Sequence, residues 1–126
     1  MVFGNQGDDL LIGTGSNNEL FGGSGNDTVR GNDSILRGDN GDDLLIGSGS
    51  TFNGGSGADT FQILQGGTSV IRNLEAVDTI QIEVGAGETL TQTTEGRNTI
   101  FSIQGQNDPL LVVKNQFINL DRIETL

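Results

Sequence analysis

Along the first half of the chain, single apolar residues recur at short, near-constant intervals in an otherwise polar sequence. Leu11, Leu20, Val29, Leu36, Leu45, Phe52 and Phe61 are spaced 9, 9, 7, 9, 7 and 9 residues apart. Between them run glycine-rich stretches, so that residues 4–62 divide into seven units: GNQGDDLLI, GTGSNNELF, GGSGNDTVR, GNDSILR, GDNGDDLLI, GSGSTFN and GGSGADTFQ. A larger duplication overlies these, since DDLLIG and GGSG each occur in both 4–30 and 38–62. A self-similar period of this length predicts a stacked architecture in which no unit buries its apolar face alone. Each unit supplies one tight turn and one short strand, and the seven apolar side chains form the interior of a thin, two-sided roll. Glycine is needed in the turns because tight reversals demand positive φ and close backbone approach.

Residues 63–126 lack the repeat but still read as β. The candidate strands are 68–72, 78–84, 98–104, 109–115 and 121–126, with loops at GAGE and EGRN and a turn at Asn107-Asp108-Pro109. Val70 follows Phe61 by nine residues and predicts one further strand of the coil. Asp78-Thr79-Ile80 echoes the repeat's D-x-apolar core, although its preceding turn has no glycine. The chain therefore divides into a repeat roll, 1–62, and a β-rich C-terminal capping segment, 63–126, whose expected task is to cover the open end of the roll.

Composition sharpens this picture. With 33% hydrophobic residues, six Phe and no Trp or Tyr, the chain carries little large apolar volume. Fifteen of its 21 glycines fall in residues 1–62. Cysteine is absent, so no disulfide or thiolate metal site can staple so thin a core, and a bound cation is the obvious substitute. The net charge of −11 disfavours nucleic acid and anionic membrane surfaces as partners. No apolar run is long enough to span a bilayer, and no N-terminal signal peptide is legible. Repeat-like sequence directly after Met1, and a last strand ending at Leu126, lead to the expectation of a piece of a larger secreted polypeptide, or of export without an N-terminal signal.

The placement of the acids carries the chemistry. Two strands make one coil, so alternate units share an edge. The sixth position reads Asp9, Asp27, Asp43 and Asp59 on one edge, and Asn18, Ser34 and Ser50 on the other. Stacked at strand spacing, four carboxylates would repel one another without a counter-ion. A role in capping turns is the bland alternative, but it gives no reason for one edge alone to keep its carboxylates. Asp8, Asp39 and Asp42 read as solvated turn residues.

Units one, three, five and seven fit G-x-x-G-x-D-x-U-x, with U apolar, and thereby resemble the nonapeptide repeats of the haemolysin-type (repeats-in-toxin) calcium-binding family. The resemblance covers residues 4–62 closely. The β segment after it is similar to the one that follows such repeats in haemolysin-type proteins. It implies an all-β fold, a right-handed parallel β-roll, with Ca2+ held between successive turns on one edge. The implied ligands are Asp9, Asp27, Asp43 and Asp59 with turn carbonyls from Gly7, Gly22, Gly25, Gly38, Gly41, Gly54 and Gly57. The emptied second edge departs from the family pattern, which commonly arms both.

Enzyme chemistry finds little footing. No His or Cys is present for nucleophilic or imidazole-zinc chemistry, and no glycine motif stands before a helix or a Lys as phosphate loops require. The expected function is a non-catalytic calcium-binding module of an extracellular protein, whose binding of Ca2+ drives folding. The alternative is an accessory module of a secreted enzyme or adhesin presenting a face to carbohydrate or another surface.

Overall fold

A computed structural model describes all residues, 1–126. Ten strands make five successive two-strand coils: β1 (Val2–Gln6) and β2 (Leu10–Ile12), β3 (Glu19–Ser24) and β4 (Thr28–Arg30), β5 (Ile35–Asn40) and β6 (Leu44–Gly47), β7 (Thr51–Ser56) and β8 (Thr60–Ile63), β9 (Ser69–Ile71) and β10 (Thr79–Ile82). A hairpin of β11 (Leu90–Glu95) and β12 (Asn98–Ile103) follows, then β13 (Leu111–Val113), a short 3-10 turn at Leu120–Arg122, and β14 (Ile123–Thr125). The strands form two sheets, ordered β1-β3-β5-β7-β9-β13-β12-β11 and β14-β10-β8-β6-β4-β2. All pairings are parallel except those of β12 with β11 and β13. The molecule is thus a parallel β-roll.

Register explains why one apolar residue per unit suffices. Leu20, Leu36, Phe52 and Ile71 are successive partners in the first sheet, and Leu11, Val29, Leu45, Phe61 and Ile80 in the second. Side chains alternate between faces of a strand, so each row points into the space between the sheets. All seven expected interior residues are buried. The two seven-residue units keep their strands in register because the shortening falls in their turns.

The further strand that the nine-residue count from Phe61 predicts is present as β9, with Val70 on its outer side. Val70 pairs with Thr51, while Ser69 and Ile71 are buried. The turn before β9 is one residue longer than a nine-residue count allows, and a one-residue slip exchanges faces. The division after residue 62 falls within β8, which runs Thr60–Ile63, and β9 and β10 simply continue both sheets. After the hairpin, β13 and β14 add a sixth layer, pairing with β9 and β10 in parallel. β11 lies outside the candidate strands because its sequence, LTQTTE, has no apolar alternation; its partner β12 and the ladder between them make it a strand.

The core thickens toward the C-terminus. From β2 to β7 each strand buries one large apolar side chain and β1 none, whereas Phe61 and Ile63, Ile80 and Ile82, Phe101 and Ile103, and Leu111 and Val113 are buried in pairs. Seven of the 18 core residues lie in 1–62 and eleven in 63–126. At roughly 1.5–3 kcal/mol for each large apolar side chain buried, the second half is far better supported by packing than the first.

Candidate metal centre

The turns joining the first sheet to the second define one edge, here the Asp edge. Asp9, Asp27, Asp43 and Asp59 stand there in one row, and Asp78 extends it to a fifth rung. Asp27, Asp43 and Asp59 are 2%, 2% and 1% exposed. Each carboxylate reaches back toward the N-terminus: the Asp9 N–H donates to Asp27 Oδ1 (2.8 Å), Asp27 to Asp43 (2.8 Å), Asp43 to Asp59 (2.9 Å) and Asp59 to Asp78 (2.9 Å). These bonds run between coils and not within a turn, so they differ from the Asx caps of the bland alternative. Oδ1 stitches the coils, while Oδ2 of Asp9, Asp27, Asp43 and Asp59 is buried without a hydrogen-bond partner. Burial, with a smaller contribution from neighbouring carboxylates, pushes Asp43 and Asp59 up from the usual 3.8 to about 6.

A second ladder runs outside the first in the opposite sense. The Asn26 N–H donates to Asp8 Oδ1 (2.8 Å), Asp42 to Asn26 Oδ1 (2.9 Å) and Ala58 to Asp42 Oδ1 (2.8 Å). Asp8 and Asp42, expected to be merely solvated, are thus bonded to the next coil. Nothing in sequence spacing signals this, because position five holds Asp, Asn, Asp and Ala in turn.

The glycines expected to contribute carbonyls occupy two kinds of place. Gly7, Gly25, Gly41 and Gly57 take φ of 104°, 127°, 118° and 115° and stack on one another. The carbonyl oxygens of Gly7, Gly25 and Gly41 point at the bare Cα of the next glycine in the stack, where a side chain would collide with them. Gly22, Gly38 and Gly54, like Gly4, lie against the Oδ2 of the aspartate in their own turn. A Cβ on Gly4 would meet Asp9 Oδ2 at 2.6 Å and the Gly22 carbonyl oxygen at 2.5 Å, and one on Gly22 would meet Asp27 Oδ2 and, at 2.7 Å, the Gly38 carbonyl oxygen. A partnerless carboxylate oxygen and a carbonyl oxygen from the following coil therefore converge, twice over. Buried, negatively polarised, all-oxygen surroundings repeated at the coil spacing suit a hard divalent cation, and Ca2+ accepts six to eight such ligands in flexible geometry. The residues present fit the group.

The opposite edge is built alike but needs no ion. The Asn18 N–H donates to Ser34 Oγ (3.2 Å), Ser34 to Ser50 Oγ (3.1 Å) and Ser50 to Ser69 Oγ (3.4 Å). Here the hydroxyls also donate, Ser34 Oγ to the Asn32 carbonyl (2.6 Å) and Ser50 Oγ to those of Gly31 and Ser48 (3.1 and 3.0 Å). The Asn18 amide donates to the Thr14 and Gly15 carbonyls, both at 3.2 Å. No buried side-chain oxygen on this edge is left over.

The Asp edge ends at the fifth coil. Asp78 Oδ2, unlike its four counterparts, accepts the Glu75 N–H at 2.7 Å. Beyond it, Arg122 Nη2 donates to the carbonyls of Glu75 (2.8 Å), Ala76 (3.3 Å) and Asp78 (3.1 Å), so a guanidinium supplies positive charge to the last turn.

Residues 3–35 match a family model, the RTX calcium-binding nonapeptide repeat (4 copies). These are RTX repeats. The units at 38–62 lie outside the matched stretch and share the ladders just described. Among solved structures, the chain is similar to the solution structure of the AlgE6R3 subunit from the Azotobacter vinelandii mannuronan C5-epimerase, with 23% identity over 95% of this chain and 79% of that one, at a TM-score of 0.47. No curated protein matches the chain. No helix is long and apolar enough to cross a membrane.

Proposed function

We propose that the chain is a non-catalytic module that takes Ca2+ between successive turns of its Asp edge and folds because it does so. The observation that carries the proposal is the row of four buried Oδ2 atoms without partners. Leaving a buried carboxylate oxygen unsatisfied costs several kcal/mol, and the guanidinium on this edge, Arg122, donates to carbonyls of the last turn and not to these four oxygens. Ions between Asp9 and Asp27, Asp27 and Asp43, and Asp43 and Asp59 would be held by those carboxylates with carbonyls from Gly7, Gly22, Gly25, Gly38, Gly41, Gly54 and Gly57. The ion supplies charge neutralisation. The chain's own residues supply the rest: Oδ1 fixes Asp27, Asp43 and Asp59 against the preceding coil, and the bare glycines keep the space beside Oδ2 open.

Metal binding that requires stacked turns is coupled to folding. Extracellular calcium modules bind at about 10⁻⁴ to 10⁻³ M, which suits a chain that remains loose in a low-calcium cytosol and folds after export as part of a larger secreted polypeptide. Circular dichroism tests this: in EDTA the signal from the repeat block is weak, and millimolar calcium restores β-structure. Identical spectra in the two conditions would sink the reading.

A further inference from the structure

The hydrogen-bond ladder of the Asp edge ends at the fifth coil, but the row of aspartates does not. β10 pairs with β14 so that Ile80 faces Ile123, and Thr60 faces Thr79 in the pairing before it. Extending both pairings backward sets Asp121 beside Asp78, as a sixth member of the row Asp9, Asp27, Asp43, Asp59 and Asp78. The turn between Ile71 and Ile80 is as long as that between Phe52 and Phe61, and the ends of the two turns are partners in the sheets. Ala76 therefore occupies the place of Gly57, the last of the stacked glycines Gly7, Gly25, Gly41 and Gly57. Its carbonyl belongs to the row from which an ion would draw ligands in the earlier coils.

This last rung differs from the others in what faces it. The Asp78 N–H donates to the Glu75 carbonyl of its own turn (3.1 Å) rather than to a carboxylate of the next layer, and Asp121 is exposed. Asp78 itself is buried with both oxygens engaged, Oδ1 by the Asp59 N–H and Oδ2 by the Glu75 N–H. What remains is a set of backbone oxygens. Arg122, next to Asp121, reaches from the sixth layer to the turn of the fifth, where Nη2 donates to the carbonyls of Glu75 (2.8 Å), Ala76 (3.3 Å) and Asp78 (3.1 Å). Three carbonyl oxygens of one turn thus converge on a single nitrogen that carries permanent positive charge. An NH₂ group has two hydrogens to give, so the third contact is held by charge as much as by hydrogen bonding.

We propose that Arg122 is the terminal cation of the Asp edge, its guanidinium standing where a metal ion would otherwise lie between the fifth and sixth layers. It thereby ends the row of ions and fixes their number. The inference rests on the function proposed above. Guanidinium and ion exclude each other here, because both need the same carbonyl oxygens and two positive charges at contact distance repel. Ca2+ collects six to eight oxygens and accepts carbonyls, carboxylates and water together. With the guanidinium gone, the carbonyls of Glu75, Ala76 and Asp78 and the carboxylate of Asp121 form such a partial shell, which water completes. Removal of Arg122 therefore opens a further calcium site, whereas a residue that only packed against the last turn would leave none behind.

The test is the amount of calcium bound per folded chain, from calorimetric titration and from metal analysis after equilibrium dialysis. Circular dichroism at saturating calcium establishes that each variant is folded. R122A should bind a further ion beyond those of wild type. R122K keeps a cation at the turn and should bind the wild-type number. R122A/D121N loses the carboxylate of the opened site as well and should return to the wild-type number. If R122A does not fold, R122Q removes the charge while keeping most of the stem, and the same gain is expected. D121N alone should leave the bound calcium unchanged, because Arg122 already fills the space. A folded R122A or R122Q without the added ion, an added ion in R122K, or an ion lost in D121N would each overturn the proposal. Wild type that binds no calcium would instead count against the function proposed above.

Discussion

The two edges of the roll solve one backbone problem with two chemistries. On both, a side chain at the sixth position accepts a main-chain N–H from the preceding coil, at 2.8–2.9 Å on the Asp edge and 3.1–3.4 Å on the Ser edge. A hydroxyl then has a proton to donate, and it spends that proton on a nearby carbonyl. An ionised carboxylate has only lone pairs, so its second oxygen is stranded. The lesson is that the stitching function does not require Asp: Ser performs it while leaving nothing unsatisfied. Keeping Asp in four successive turns on one edge makes sense if the surplus oxygen has a partner from outside the chain.

Substitution of the rungs is the most direct way to break this comparison. Asp27 faces two inter-turn spaces and Asp9 one, so Asp27→Ala should lose two bound ions and Asp9→Ala one. Each lost ion forfeits about 2.7 kcal/mol of stability when calcium is a hundredfold above its dissociation constant. Asn18→Ala, on the Ser edge, should leave the stoichiometry of calorimetric titration unchanged. If Asn18→Ala removes as much bound calcium as Asp27→Ala, both edges carry metal and the contrast collapses.

Acid should imitate the metal, on one edge only. Asp43 and Asp59 titrate at about 6 when folded against 3.8 in the usual state. Between these values the folded chain holds more protons than the unfolded one, so without metal its stability is greatest below about pH 4, falls as pH rises through the window, and is lowest above pH 6. In EDTA the chain should therefore gain β-structure as pH drops from 7 to 4.5, whereas in limiting calcium the same protonation competes with the ion. Circular dichroism across that range decides it: a metal-free chain less structured at pH 5 than at pH 7 would contradict a buried, charged row.

The smallest effect sharpens the Ser edge. Ser34→Ala removes the acceptor of the Asn18 N–H and the donor to the Asn32 carbonyl, and should cost about 1–2 kcal/mol. Denaturant titration at saturating calcium should register that loss with the calcium midpoint barely moved. A large shift in the midpoint would mean that the Ser edge communicates with the ions after all.

Much of this was legible in the chain itself. Apolar spacing of nine and seven residues fixed which side chains face inward, because a two-residue strand period leaves only one phase that buries Leu11 through Phe61. The alternation of Asp with Asn and Ser at the sixth position named the charged edge, since stacking brings equal positions of alternate units together whatever the details of the turn. Past Phe61 the period lapses, and with it the legibility. That Ser69 and Ile71 rather than Val70 turn inward, that LTQTTE is a strand, and that β13 and β14 form a sixth layer all depend on partners distant in sequence. The same holds for which carboxylate oxygen is engaged, for the counter-running ladder through Asp8, Asn26 and Asp42, and for Arg122 closing the last turn. A repeat transmits its geometry through local spacing alone, whereas a hydrogen bond between coils exists only once the coils have stacked in register.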